Sequence, residues 1–160
     1  MIEIQLNTEI NKSAEECWTV FGVGYTDIYK WKSDITSSDG EGGPFGDSPV
    51  GSRKVETSKL NFSEKLLHFS NSERAFTYQV LGLPFVVSNA TNVWNFSESE
   101  GKATLNMHLK LQVATGFGWL LGGLLRKNMA KEMGKLHQEF KYYMETGEVH
   151  PRKAKELAKK

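Results

Sequence analysis

A single cysteine, Cys17, in a chain of 160 residues excludes an internal disulfide, so the fold has to stand on packing and hydrogen bonds alone. The four histidines, at 68, 108, 137 and 150, fall at no zinc-ligand spacing. No spacing implies a nucleotide or redox cofactor either, and none is expected. Charge of one sign is also lacking. Twenty basic and nineteen acidic residues leave a formal net charge of +1, which gives no electrostatic reason to expect nucleic acid as a partner. Long apolar runs are absent too. The longest, Phe117 to Leu125, falls well short of the roughly 20 residues that span a bilayer, so stable membrane insertion is not expected. The N-terminus alternates from Met1 to Leu6 and has no basic region leading into an apolar stretch, so no secretory signal is read and the cytoplasm is the expected location. The glycine-rich run Gly40 to Gly46 lacks the GK[ST] ending of a phosphate loop and precedes a strand, which leaves it as a flexible lip.

Several positive features stand against these absences. The length suits one domain with a sizeable core, and 39% hydrophobic with 24% charged residues is an ordinary globular balance. Ile2, Ile4, Leu6, Thr8 and Ile10 alternate with Glu3, Gln5, Asn7 and Glu9, the pattern of a half-buried strand. Ser13 with Glu16 three residues on makes a capping box, and Ala14, Cys17, Trp18 and Phe21 give the following short helix one apolar face. Gly22 and Gly24 end it, and a second short helix is expected over Tyr25 to Trp31. Strands are expected over Asp34–Ser37, Val50–Ser58, Leu60–Phe69, Arg74–Leu81, Val86–Phe96 and Ala103–Val113, with Ser38 to Pro49 a mobile loop. A long helix from Phe117 to Glu145 carries Leu125, Met129, Met133, Leu136, Phe140 and Tyr143 as one stripe. Gly147 stops that helix, and residues 148–160 read as a basic, poorly ordered tail. The expected fold is therefore α+β: a curved antiparallel sheet of six or seven strands wrapped around the terminal helix, with two short helices after the first strand. A concave sheet closed by a helix is hard to fill with side chains, and a cavity is expected between the two.

The order and spacing of these features resemble the START-like, or SRPBCC, superfamily with its helix-grip fold. Within it, they look most like the bacterial polyketide cyclase/dehydrase and lipid-transport group. The resemblance spans residues 2 to 147 and rests on several pieces. They are the opening strand with Ser13-Ala14-Glu15-Glu16-Cys17-Trp18, Trp31, Val50-Gly51-Ser52-Arg53, Glu64-Lys65-Leu66, Tyr78, Gly82-Leu83-Pro84, Trp94 and the ending Tyr143-Met144-Glu145-Thr146-Gly147. It implies a single domain over 1–147 with a deep hydrophobic cavity between sheet and helix. Relatives of this kind include lipid carriers, ligand sensors, cyclases, aromatases and chaperone-associated domains.

The expected ligand is a hydrophobic or amphipathic small molecule such as a lipid, an isoprenoid or an aromatic polyketide-like compound. Phe62, Leu66, Phe76, Tyr78, Trp94, Phe96, Met107, Leu109, Leu125, Met129 and Met133 are the expected apolar contacts. In this superfamily an arginine placed like Arg53 can face the cavity and grip an oxygen of the ligand. Glu64 shares a strand face with Leu60, Phe62 and Leu66. It is read either as a partner of Arg53, which would satisfy both residues, or as turned outward by a bulge. Arg53, Glu64 and Tyr78 are the candidate catalytic set if the domain is a cyclase, aromatase or dehydratase, whereas a carrier or sensor needs no chemistry from them. A third reading is an interaction domain with a filled core. The segment Gly116 to Leu125, with its four glycines, is read at Phe117–Leu125 as a gate or a transient membrane or partner contact, or else as a tightly packed helix start.

Overall fold

The computed structural model describes residues 1–116 and 118–159, with the side chains of Gly118 and Trp119 also outside the description. Seven antiparallel strands form one sheet: β1 (Ile2–Ile10), β2 (Ile35–Glu41), β3 (Ser52–Thr57), β4 (Asn61–Ser70), β5 (Ala75–Leu81), β6 (Val87–Ser99) and β7 (Lys102–Val113). Their spatial order is β1-β7-β6-β5-β4-β3-β2, so the first two strands lie at opposite edges. The chain crosses between those edges through α1 (Ala14–Trp18), a π-type turn at Thr19–Val23 and a 3-10 helix at Tyr25–Lys30. The long helix α2 (Gly118–Thr146) and a short α3 (Pro151–Leu157) complete the chain. This is the α+β helix-grip arrangement expected.

Local signals account for much of it. The Ser13 hydroxyl accepts from the Glu16 N–H while the Glu16 carboxylate accepts from the Ser13 N–H, which closes the capping box. In β1 and β7 the alternating apolar faces meet in register, with Ile4 opposite Leu109 and Thr8 opposite Leu105. In β4 a register shift between Leu66 and His68 turns Leu67 outward and brings Phe69 to the inner face. Gly22 is needed where it stands, because a Cβ there would lie 2.4 Å from the Trp18 ring. Trp18, Phe21, Tyr25, Phe69, Phe76, Trp94, Phe96 and Phe140 form a continuous ring cluster, each stabilising the fold by roughly 1.5–3 kcal/mol through burial.

Helix α2 is anchored toward its C-terminal end. Its C-terminal half packs on β1: His137 Nδ1 lies 2.8 Å from Thr8 Oγ1, Lys141 donates to the Glu9 carbonyl at 2.7 Å, and Glu145 accepts from the Asn11 N–H at 2.8 Å. Leu136 and Phe140 are buried there. Toward its start the helix overhangs the rest of the sheet, where Leu125, Met129 and Met133 are only partly buried. A straight helix fixed at one end of a twisted, concave sheet diverges from it at the other.

Two expectations need correction. The tail is not disordered over its length. His150 caps α3, and Lys153 is buried and donates to the Ile35 carbonyl at 2.9 Å. Arg152 binds Glu139 at 2.8 Å, and Glu156 accepts from the Asp34 N–H at 2.8 Å. Lysines and arginines that read as a solvated tail are here the anchors of a docked helix. The expected loop is also shorter, because β2 continues to Glu41 by pairing Ser38 with Val55 and Gly40 with Arg53. Of the readings left open for the start of α2, the tightly packed one does not fit the described residues. Leu120, Leu121 and Leu124 are exposed, and a Cβ at Gly122 or Gly123 would meet no atom within 4 Å apart from its neighbours and the helix's own backbone. Of the segment read as gate or contact patch, Phe117 and the Trp119 side chain lie outside the described residues.

Candidate functional site

The divergence between α2 and the sheet leaves a cavity of about 190 Å³. Its walls come from Phe21 and Ile28 on the crossing helices, Phe62, Tyr78 and Trp94 on the sheet, and Met129, Met133 and Leu136 on α2. Lys32, Ser33, Asp34 and Ile35 form one side, Arg53 and Glu64 another, with Thr57 and Glu132 completing the lining. A trough of about 310 Å³ between α3 and the β2–β3 edge is larger, but Leu157 is its one apolar residue among Asp34, Thr36, Ser58, Lys153, Glu156 and Lys159. The cavity under α2 is the one in which apolar burial would drive binding.

Register builds the polar wall. Arg53 on β3 stands directly opposite Glu64 on β4, and both are buried. Arg53 Nε donates to Glu64 Oε2 at 2.5 Å, and Nη1 donates to the Tyr25 carbonyl oxygen. The guanidinium lies 4.0 Å from the centroid of the Tyr25 ring and 5.8 Å from that of Tyr78. Tyr25 in turn donates its hydroxyl to the Glu64 carbonyl oxygen at 2.9 Å, closing a circuit of three residues. Burial is the largest single influence and would weaken the arginine's hold on its proton, but the Glu64 charge and hydrogen bond together with the neighbouring Tyr25 and Tyr78 outweigh it and keep Arg53 cationic.

Tyr78 sits above this pair. Its hydroxyl oxygen accepts from Trp94 Nε1 at 3.3 Å and from Asn92 Nδ2 at 3.5 Å. Burial pushes the Tyr25 and Tyr78 hydroxyls above the ordinary phenol range, so both stay protonated. The three candidate catalytic residues thus converge on one wall, as an ion pair beside a protonated tyrosine.

A second buried network lies behind the Lys32–Ile35 side. Glu139 on α2 accepts from the Ser33 N–H at 2.6 Å, from the Ser33 hydroxyl at 2.8 Å and from Arg152 Nε at 2.8 Å, with Lys32 Nζ at 3.7 Å. It ties the turn that forms the cavity side to both α2 and α3.

Of the residues singled out by sequence, Arg53, Phe62, Glu64, Tyr78, Trp94, Met129 and Met133 line the cavity. Leu66, Phe76, Phe96, Met107 and Leu109 do not: they share the inner face but lie in the solid core. Leu125 packs at the margin of that core without lining the cavity. Strand alternation identifies the inner face, not the distance of each residue from the gap. Sequence reasoning missed Tyr25, Asn92 and the Lys32–Ile35 turn. Tyr25 sits in an expected helix start, Asn92 is a polar residue on a strand's inner face, and the turn has no periodicity to read. Among the described residues no group of His, Cys, Asp and Glu is placed to hold a metal ion, and no helix is long and apolar enough to cross a membrane.

The sheet, the grip of α2 and the cavity between them define a START-like domain of the SRPBCC superfamily. A family model described as polyketide cyclase/dehydrase and lipid transport matches residues 1–145, and the chain belongs to that family. Solved structures agree on the fold. A START superfamily protein from Mycobacterium smegmatis superposes with a TM-score of 0.74 at 11% identity, covering 91% of this chain and 99% of its own. The protein XoxI from Bacillus cereus gives a TM-score of 0.68 at 20% identity over 88% of this chain and 96% of its own. A norcoclaurine synthase point mutant from Thalictrum, solved with a transition-state analogue, gives 0.67 at 15% identity over 91% and 96%. No curated protein matches the chain's sequence.

Proposed function

We propose that this protein is a carrier or sensor that holds a hydrophobic or amphipathic small molecule in the cavity between sheet and α2. The observation that supports this reading is the cavity itself, walled by aromatic, aliphatic and methionine side chains with one neutralised ion pair set into it. Size narrows the ligand. A cavity of roughly 150 Å³ accepts benzene, so about 190 Å³ in this closed form suits one substituted ring or a short isoprenoid. A larger polyketide-like or lipid ligand requires the overhanging half of α2 to move outward, and the flexible side chains of Met129 and Met133 then reshape the wall around it. The exposed Leu120, Leu121 and Leu124, with Arg126 and Lys127 following on the same helix, offer a transient contact face through which such a ligand passes to a membrane or partner. The buried, unpaired Cys17 suits a reducing compartment such as the cytoplasm.

Native mass spectrometry of the purified protein, compared with its denatured mass, tests the reading. The expected result is an adduct of up to a few hundred daltons that is lost on denaturation and absent in Met133→Trp, where the larger ring occupies the cavity. A bare mass, with no uptake from a panel of monocyclic aromatics, isoprenoids and lipids, would overturn it.

A further inference from the structure

Resting on that reading, we infer that the cavity selects uncharged ligands whose polar end is a hydrogen-bond acceptor, of the ketone or ester carbonyl class. It rejects carboxylates in spite of its buried arginine. The reason is that the charge of Arg53 is already balanced by Glu64. Its Nε holds Glu64 at 2.5 Å, its Nη1 holds the Tyr25 carbonyl, and its face rests on the Tyr25 ring. The other lining cation, Lys32, donates to the Ser33 carbonyl at 2.8 Å and has Glu139 at 3.7 Å behind the wall. Lining charges are therefore Lys32 and Arg53 against Asp34, Glu64 and Glu132, a balance without excess positive charge. A carboxylate entering this space would lose its water and meet only cations that already have a carboxylate beside them.

A neutral acceptor does find a partner. The Tyr78 oxygen accepts two N–H donors, from Trp94 and Asn92, and no acceptor among the described residues takes the proton of its own O–H. A phenol offers one donor beside its lone pairs, so that proton is left for whatever occupies the cavity Tyr78 lines. Burial keeps the hydroxyl protonated, which preserves the donor.

Four probes of matching shape separate the possibilities: acetophenone, cumene, benzoate and 1-phenylethylammonium, each titrated at neutral pH into the full-length, isotope-labelled protein and followed by amide chemical shifts. Acetophenone should bind most tightly, about fivefold better than cumene for one added neutral hydrogen bond, with benzoate weakest. Tyr78→Phe should abolish the preference of acetophenone over cumene. Glu64→Gln frees Arg53 and should improve benzoate relative to acetophenone by about tenfold or more, as a charge-assisted bond requires. Tightest binding of benzoate or 1-phenylethylammonium by the wild type would overturn the inference and leave cavity binding intact. So would an acetophenone preference that survives Tyr78→Phe, a readout that does not depend on Glu64→Gln folding. If none of the four probes shifts the cavity-lining residues, the binding reading itself falls and the inference with it.

Discussion

Replacing Glu139 with Gln tests the coupling between the C-terminal helix and the cavity side. The carboxylate is fully buried and serves Ser33, Arg152 and Lys32 together. Glutamine keeps the shape but brings a donor where Ser33 or Arg152 also donates, and it removes the charge. The two cations respond differently. The Arg152 side chain is 35% exposed and can swing into water, so its loss contributes little. The Lys32 side chain is 6% exposed and would be left as a buried, unpaired ammonium. Breaking a buried pair in this way costs about 3–5 kcal/mol. For a chain of this size that lowers the melting temperature by roughly 6–20 °C, at about 2–4 °C per kcal/mol. Urea unfolding followed by circular dichroism measures it, with Arg152→Met expected within about 1 kcal/mol of the wild type. Lys32→Met added to Glu139→Gln should recover most of the loss, since the stranded charge is gone. A Glu139→Gln cost under about 1 kcal/mol would show that the network is solvated, and the reasoning would fail. Acid adds a second readout. Burial alone would raise the Glu139 carboxyl, but Lys32, Ser33 and Arg152 outweigh it and hold it below the usual carboxylate range. Its contribution is therefore present above the unfolded carboxylate pKa and lost as pH falls through the lower folded value.

His137 is buried and its pKa is pushed down to about 4 by desolvation, so the unfolded chain takes up a proton near pH 6.5 that the folded protein refuses. Stability should fall by about 1.4 kcal/mol per pH unit from that group between roughly pH 6.5 and 4. In His137→Gln this component of the pH slope should be missing from the urea midpoints. Cys17, buried with its thiol pushed up to about 12 by desolvation, should resist iodoacetamide in the native protein and react on unfolding, as peptide mass mapping would show. Rapid native labelling would contradict its placement. Phe140→Ala removes a fully buried ring set 4.9 Å from Phe21 and 5.1 Å from Trp31, and should cost about 3–5 kcal/mol in chemical denaturation.

Local periodicity was enough to recover the sheet and the long helix that grips it. The alternation in β1 and β7, the capping box at Ser13 and Glu16, and the stripe along α2 each depend on residues close in sequence, and together they leave a curved sheet gripped by a helix as the way to bury every apolar face. The pairing of Arg53 with Glu64 was legible as well, because two polar residues on inner faces need a partner and each supplies what the other lacks. Tertiary structure alone decided how far α2 lies from the sheet along its length. That distance separates Met129 and Met133, which face open space, from Met107 and Leu109, which sit on equally apolar strand positions inside solid core. It also decided the fate of residues 148–159. A helix as short as α3 has too few internal hydrogen bonds to form by itself, so its order comes from Glu139, Asp34 and the Ile35 carbonyl, groups on α2 and at the start of β2 that only the tertiary fold brings together.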